Sequence, residues 1–283
     1  MIVENYWKYF LVPLIVYCVT YVIYLWRNDK KKKIFGNSGR TERVEFDDSD
    51  LGEQDDLSPA LPEDLAHIPL KPEILPTDVM IRHSREFYEK MNKRRSIRNF
   101  SSRSFPKEII YNIIRTAGTA PSGAHTEPWT FIVVESMDMK EKIREIIEEE
   151  EEMNYKKRMG KTWTTDLKPL KTNWVKEYLT VAPYIILVFK QTHSFKSDGT
   201  KKIHYYNEQS LSIAVGFLLA AIHSAGLYSL TSTPLNCGPA IRSLLNRPST
   251  EKLVFLLPVG YPAENCLVPD LHRKPLNEII VEY

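Results

Sequence analysis

The stretch from Arg115 to Val134, "RTAGTAPSGAHTEPWTFIVV", decides the fold, because it joins a helical pattern to a buried-strand pattern through almost bare backbone. Upstream, in "KEIIYNIIRTAG", Ile109, Ile110, Ile113, Ile114 and Ala117 recur at helical spacing, and Gly118 marks a natural stop. Downstream, "WTFIVV" is short, continuously apolar and rich in β-formers, the mark of a strand inside a sheet. Between the two, Gly118 to Ala124 are nearly all small. An ordinary loop would use such residues. So would a segment whose main chain must let another group approach closely.

The same patterns continue outward. Asp78 is placed to cap a helix through "VMIRHSREFYEKMNKRRS", with Met80, Phe87 and Met91 as apolar contacts. "YIILVF", "LYSLTSTP" and "KLVFLLPVGYP" read as further strands, and a long helical stretch carries the acidic run Glu148 to Glu152. "EQSLSIAVGFLLAAIHSAG" is apolar nearly all round, as in a central helix packed on several sides. Helices and strands mix without strict βαβ alternation, so the class is α+β, not doubly wound.

The chain has 283 residues and a formal net charge of +2, which gives no global pointer to nucleic acid. Cys18, Cys237 and Cys266 lie far apart and suggest neither a disulfide framework nor a zinc site. Residues 9–26, "YFLVPLIVYCVTYVIYLW", carry no charge and are just long enough to cross a bilayer. Aromatic residues sit at both ends, and Arg27 and Lys30 to Lys33 follow, which places the rest of the chain on the cytoplasmic side. A cleaved signal peptide is disfavoured, because there is no basic leader and no small-residue cleavage site. Three parts are expected: an anchor and basic flank over residues 1–34, an acidic flexible linker over 35–77, and a catalytic domain over 78–283.

Neither the dinucleotide nor the Walker glycine signature is present, and no His cluster suggests a metal. Two segments could carry chemistry. "KRRSIR", Lys93 to Arg98, offers guanidinium groups that grip phosphate, or simply favourable charge at a helix end. "TSTPLNCGP", Thr231 to Pro239, offers hydroxyls to a ligand or to the next helix. Combined with the small-residue loop in one α+β domain, they form what a flavin mononucleotide would need.

"RRSIR", "GTAPSGAHTEPW", "EEEEEMNYKKRMG", "TNWVKEYL", "HYYNEQS", "TSTPLNCGP" and "LPVGYP", in that order, resemble the iodotyrosine deiodinases of the nitroreductase superfamily. The resemblance implies a nitroreductase-like fold, a central mixed sheet flanked by helices, in an intertwined homodimer with FMN at the interface. It assigns Arg94, Arg95, Ser96, Arg98 and Arg273 to the FMN phosphate and ribityl chain. Pro121, Ser122 and Gly123 would lie against the flavin ring, and the Thr233 hydroxyl would meet its N5 atom. Glu151, Tyr155 and Lys176 would grip the ammonium and carboxylate of a halotyrosine, with the Ala124 N–H on its phenolate oxygen. The other four glutamates of the acidic run then form a solvated face. The implied activity is FMN-dependent reductive removal of halide from 3-iodotyrosine, 3,5-diiodotyrosine or their bromo and chloro analogues, with NADPH as ultimate donor through a possible separate flavin reductase. The rival expectations are a general nitro- or quinone reductase, a membrane-tethered redox sensor, and a flavin-free scaffold.

Overall fold

In the computed structural model, the described residues are Pro59, 61–196 and 199–283, all within one unit spanning Asp56–Tyr283. The expected membrane anchor and most of the linker lie outside them. Among the described residues no helix is long and apolar enough to cross a membrane. Residues 61–76 carry no helix or strand.

The first helix, α1 (Thr77–Asn92), starts directly after Pro76 and has no side-chain cap. Asp78 therefore lies inside the first turn, where its carboxylate meets the positive end of the helix dipole instead of closing the end. No residue of α1 is buried; Met80 and Phe87 are more than half exposed. Met91 is half-buried, and Phe87 only borders a groove with Ile109 and Phe217.

Helix α2 (Lys107–Gly118) buries Ile110, Ile113 and Ala117 and ends at Gly118 without a left-handed residue. Strand β1 (Trp129–Val134) follows the small-residue loop. Ser136 then caps α3 (Met137–Met153), its Oγ accepting from the Met139 N–H. The helix continues into a wide π-type turn, Asn154–Arg158, and then α4 (Lys161–Leu167) and α5 (Tyr178–Val181). Beyond them come β2 (Tyr184–Gln191), the hairpin β3 (His193–Phe195) and β4 (Lys201–Ile203), and α6 (Asn207–Ser224). The chain closes with β5 (Tyr228–Ser229), α7 (Gly238–Leu244) and β6 (Glu251–Gly260).

The main sheet has the order β1-β2-β6-β5, and its named strands pair antiparallel. A parallel bridge between Ser96 and Ser229 at the β5 edge gives it mixed character. Of the strand expected over "LYSLTSTP", only Tyr228–Ser229 and a single bridge from Ser232 to Leu256 form. Central β2 is buried from Tyr184 to Phe189. Its alternate residues Ile185, Leu187 and Phe189 face α3, α5 and α7, while Tyr184, Ile186 and Val188 face α2 and α6. This two-sided burial is why the run is continuously apolar. Helix α6 buries Leu211, Ala214, Val215, Leu218 and Ile222 but leaves Ile213 and Phe217 exposed. It is packed on one side, not all round.

One polar network pins the open end of the sheet. Glu251, 3% exposed, accepts two hydrogen bonds from Arg247, each 2.8 Å, and one from Thr130 of β1 at 2.7 Å. Burial alone would raise the Glu251 carboxyl pKa, but the bonds from Arg247 and Thr130 outweigh it and the pKa is lowered. A lowered carboxyl pKa stabilises the fold above the unfolded value, and that contribution disappears as pH falls through the folded value. Glu251→Ala is expected to cost about 2–3 kcal/mol by leaving the Arg247 guanidinium and the Thr130 hydroxyl without their shared acceptor. Thermal melts from neutral to acid pH should show the gap between parent and variant closing as the carboxylate titrates. A gap that stays constant would separate the loss from ionisation.

Candidate active site

The bridge between Ser96 and Ser229, with the Ile97 N–H bonded to the Ser229 carbonyl at 3.3 Å, holds the segment after α1 against the sheet edge. Ile97 and Phe100 enter the core, so the intervening polar residues turn outward. From the far end of the chain, Arg273 donates to the Asn92 carbonyl (2.8 Å), the Asn92 side chain (3.0 Å) and the Arg94 carbonyl (2.9 Å). Arg95 is fixed by a bond to the Pro269 carbonyl. The result is a cavity of about 370 Å³ lined by Arg94, Arg95, Ser96, Arg98 and Arg273.

None of these four guanidinium groups forms an ion pair with a carboxylate among the described residues. Burial, then the charges of Arg273 and Arg95, lower the pKa of Arg94. The Nε of Arg98 is buried with no hydrogen-bond partner. Four crowded cations and an orphaned donor are costly by themselves and are satisfied by a multivalent anion. The free phosphate group of a mononucleotide fits that requirement.

Arg98 also borders a second, polar cavity of about 330 Å³ with Thr172, Asn173 and Tyr178. Near Arg98, residues 151–176, the covering segment, bring together Glu151, Tyr155 and Lys176. Glu151 and Lys176 are 8% and 6% exposed, and their charged atoms stand 3.7 Å apart. The Lys176 ammonium lies 5.7 Å from the centre of the Tyr155 ring, which meets Trp174 edge-on at 6.0 Å. Burial lowers the Lys176 pKa, opposed by Glu151, and raises that of the Tyr155 phenol. A buried pair of this kind nearly breaks even between attraction and desolvation. It can therefore exchange partners at little cost.

The acidic run is not otherwise a uniform solvated face. Glu148 accepts from Arg144 at 2.7 Å and from the Lys176 backbone N–H at 2.5 Å, and so holds the chain that presents the lysine. Glu150 and Glu152 pair with Arg158 and Lys156, while Glu149 is exposed. The periodicity of five glutamates could not show the bond to the Lys176 backbone, because that partner comes from outside the helix.

Pro121 to Ala124 form a tight turn in which Ala124, His125 and Glu127 all have positive φ (48°, 52° and 46°). Such angles are uncommon outside glycine and mark stored strain. The Ser122 Oγ accepts from the Glu127 N–H at 3.0 Å, and the Ala124 N–H makes no hydrogen bond among the described residues. A Cβ on Gly123 would stand 3.0 Å from the Tyr205 carbonyl oxygen and 3.1 Å from the Tyr206 ring. The bareness of that position thus already serves contacts within the chain. Among the described residues no hydrogen bond or ion pair joins this turn to the arginine cavity or to the covering segment. Thr233 is exposed, just after the bridge from Ser232 to Leu256. Cys237 is fully buried and its thiol is pushed up to about 12, first by burial, which removes it as a thiolate nucleophile at neutral pH.

Residues 91–261 match the model of the nitroreductase family. Iodotyrosine deiodinase 1 of Homo sapiens is 53% identical over 96% of this chain and 99% of its own length. Iodotyrosine deiodinase of Hydra vulgaris is 62% identical, covering 81% of this chain and 83% of its own. The chain belongs to the iodotyrosine deiodinase branch of the nitroreductase family. A crystal structure of an oxidised iodotyrosine deiodinase bound to FMN and 3-iodo-L-tyrosine is 34% identical, with a TM-score of 0.59 over 70% of this chain and 98% of that one. The family match to residues 91–261 covers the arginine segment, the turn and the covering segment, while Arg273 lies beyond it.

In this deiodinase-like chain the crowded guanidinium groups make the ligand-free state pay for charges it does not use. Arg94→Gln is expected to leave the melting temperature of the flavin-free protein unchanged or slightly higher. The same variant should lose most of the stabilisation that inorganic phosphate confers on the parent, as read by thermal shift across a phosphate titration.

Proposed function

We propose that the protein is an FMN-dependent reductive dehalogenase of halotyrosines. The observation that carries this reading is the buried set of Glu151, Tyr155 and Lys176 beside the polar cavity that Arg98, Asn173, Val175 and Glu177 line. A free amino acid brings one ammonium and one carboxylate. Glu151 takes the first and Lys176 the second, so the charges of the covering segment stay balanced while their mutual pairing is given up. A nitroaromatic or a quinone offers neither charge. The relative solved with FMN and 3-iodo-L-tyrosine supports a halotyrosine as the substrate.

The chain's own groups divide the work. Arg94, Arg95, Ser96, Arg98 and Arg273 hold the flavin phosphate and ribityl chain, and Pro121 to Gly123 flank its ring. FMN, when bound, supplies the reducing electrons. The Ala124 N–H, free to donate, stabilises the substrate's phenolate oxygen, a buried charge that would be expensive without a donor. The Thr233 hydroxyl would be the donor to N5 of the bound flavin. Closure of the covering segment by the substrate's charges excludes water from the carbon–halogen bond. NADPH is the ultimate donor, through a separate reductase.

The active form is a homodimer that completes the site. Two features support it: among the described residues no hydrogen bond or ion pair joins the turn at Pro121–Ala124 to the arginine cavity, and the exposed Phe87 and Phe217 border an apolar groove of about 640 Å³ between α1, α2 and α6. The apolar run of residues 9–26, with the basic flank after it, anchors the chain in a membrane with the catalytic domain in the cytosol.

Glu151→Gln should lower kcat/KM for 3-iodotyrosine roughly a hundredfold or more, because the substrate ammonium is then buried without its countercharge. Flavin content should stay at the parent level, and an iodophenol lacking the amino acid group should be turned over as by the parent. Equal loss on both substrates would instead favour a general reductase. Phe217→Asp is expected to shift the flavin-loaded protein from dimer to monomer in sedimentation velocity and to release FMN with it.

A further inference from the structure

The covering segment is tied to the flavin-side loop through one buried side chain. Asn154 begins the π-type turn that follows α3 and is 1% exposed. Its carbonyl oxygen accepts from the Met159 N–H at 2.8 Å, the wide spacing that defines the turn. Its side chain points inward. Asn154 Nδ2 donates to Glu151 Oε1 at 3.5 Å and to the Leu235 carbonyl at 3.3 Å. Asn154 Oδ1 accepts from Asn236 Nδ2 at 3.2 Å and from Arg158 Nη1 at 3.2 Å. Leu235 and Asn236 are two and three residues beyond Thr233, and Asn236 has a left-handed φ of 64°. Every polar atom of one carboxamide is therefore used, and its partners come from both halves of the site.

This arrangement is more than a satisfied core amide requires. An amide with only a structural duty could bond any backbone nearby. Asn154 instead touches the carboxylate assigned to the substrate ammonium and the turn that follows the hydroxyl assigned to the flavin. Asparagine is a poor helix former because its side chain competes for backbone groups. Its place at the first residue of a π-type turn, a feature frequent at functional sites, is what directs the carboxamide across to the loop.

We propose that Asn154 is a positioning residue that couples substrate capture to the flavin environment. It holds Glu151 in register with the Leu235–Asn236 turn, so that an ammonium arriving at Glu151 shifts the loop bearing Thr233. The inference rests on the dehalogenase reading above. It adds to that reading a residue that touches neither substrate nor cofactor.

The test uses the flavin-loaded full-length protein, Asn154→Ala and Asn154→Asp. The probe is 3-fluorotyrosine, whose carbon–fluorine bond is too strong to be broken and which therefore reports binding alone. Three quantities are read: kcat and KM for iodide release from 3-iodotyrosine, the shift of flavin reduction potential on saturation with 3-fluorotyrosine, and the melting temperature. Loss of a hydrogen bond to a charged group predicts a KM for 3-iodotyrosine raised roughly tenfold to a hundredfold in Asn154→Ala. The potential shift caused by 3-fluorotyrosine should shrink to less than about half that of the parent while the unliganded potential stays put. Asn154→Asp keeps the acceptor toward Asn236 and Arg158 but turns a second carboxylate toward Glu151, so it should not rescue KM.

Unchanged KM and an unchanged potential shift in Asn154→Ala would overturn the proposal. So would a fall in melting temperature and kcat with the potential shift intact, which marks a structural role only. Absence of iodide release from the parent is a different failure: it removes the dehalogenase reading itself and the coupling with it.

Discussion

Antiparallel pairing of β2 on both its edges is the constraint on which the rest of the molecule depends. Tyr184 to Phe189 are buried on two faces while β1 and β6 occupy both edges, so this part of the strand does not meet water. Fully burying one large apolar side chain is worth roughly 1.5–3 kcal/mol. A net backbone hydrogen bond contributes about 1 kcal/mol. Packing on both faces, more than the ladder itself, thus fixes where the strand lies. Once it is fixed, α2 and α6 must cover one face and α3, α5 and α7 the other. The two parts of the candidate site follow as the ends of these layers. The arginine segment is stitched to the sheet edge at Ser229, and the π-type turn leaves the end of α3.

The site that results is electrostatically unfinished in two different ways. Among the described residues no carboxylate answers the positive charge of the arginine cavity, and Arg98 keeps a buried donor without a partner. The covering segment is the reverse: its charges answer one another, Lys176 to Glu151, at 3.7 Å. The first condition selects a permanently bound anion. The second selects a ligand that comes and goes, because an ion pair close to break-even can be replaced by two pairs with a zwitterion. One fold thereby separates the tightly held cofactor from the exchanging substrate, and Arg98, bordering both cavities, lies between them.

Much of this was legible in the residues. The continuous apolar run at β2, the helical spacing in α2 and the mixed order of elements identify an α+β domain. "RRSIR" and "GTAPSGAHTEPW" pointed to the nitroreductase superfamily. Other features were misread for definite reasons. Asp78 looked like a cap, but α1 starts one residue before it, at Thr77, directly after Pro76. Glu148 looked like its neighbours in the acidic run, until Arg144 and the Lys176 backbone gave it a separate duty. Asn154 carried only a faint signal, an asparagine inside a helical stretch.

The sequence by itself determined which segments are apolar and at what period, where positive charge is concentrated, and to which family the chain is related. Those properties are local, written in spacing and composition. Tertiary structure alone decided that Arg273 reaches Asn92 and Arg94, that Glu151 meets Lys176, and that Asn154 joins α3 to the loop after Thr233. Each is a contact between residues brought together only when both faces of β2 are covered. No local pattern encodes such a contact, because the distance that matters is set by packing and not by separation along the chain.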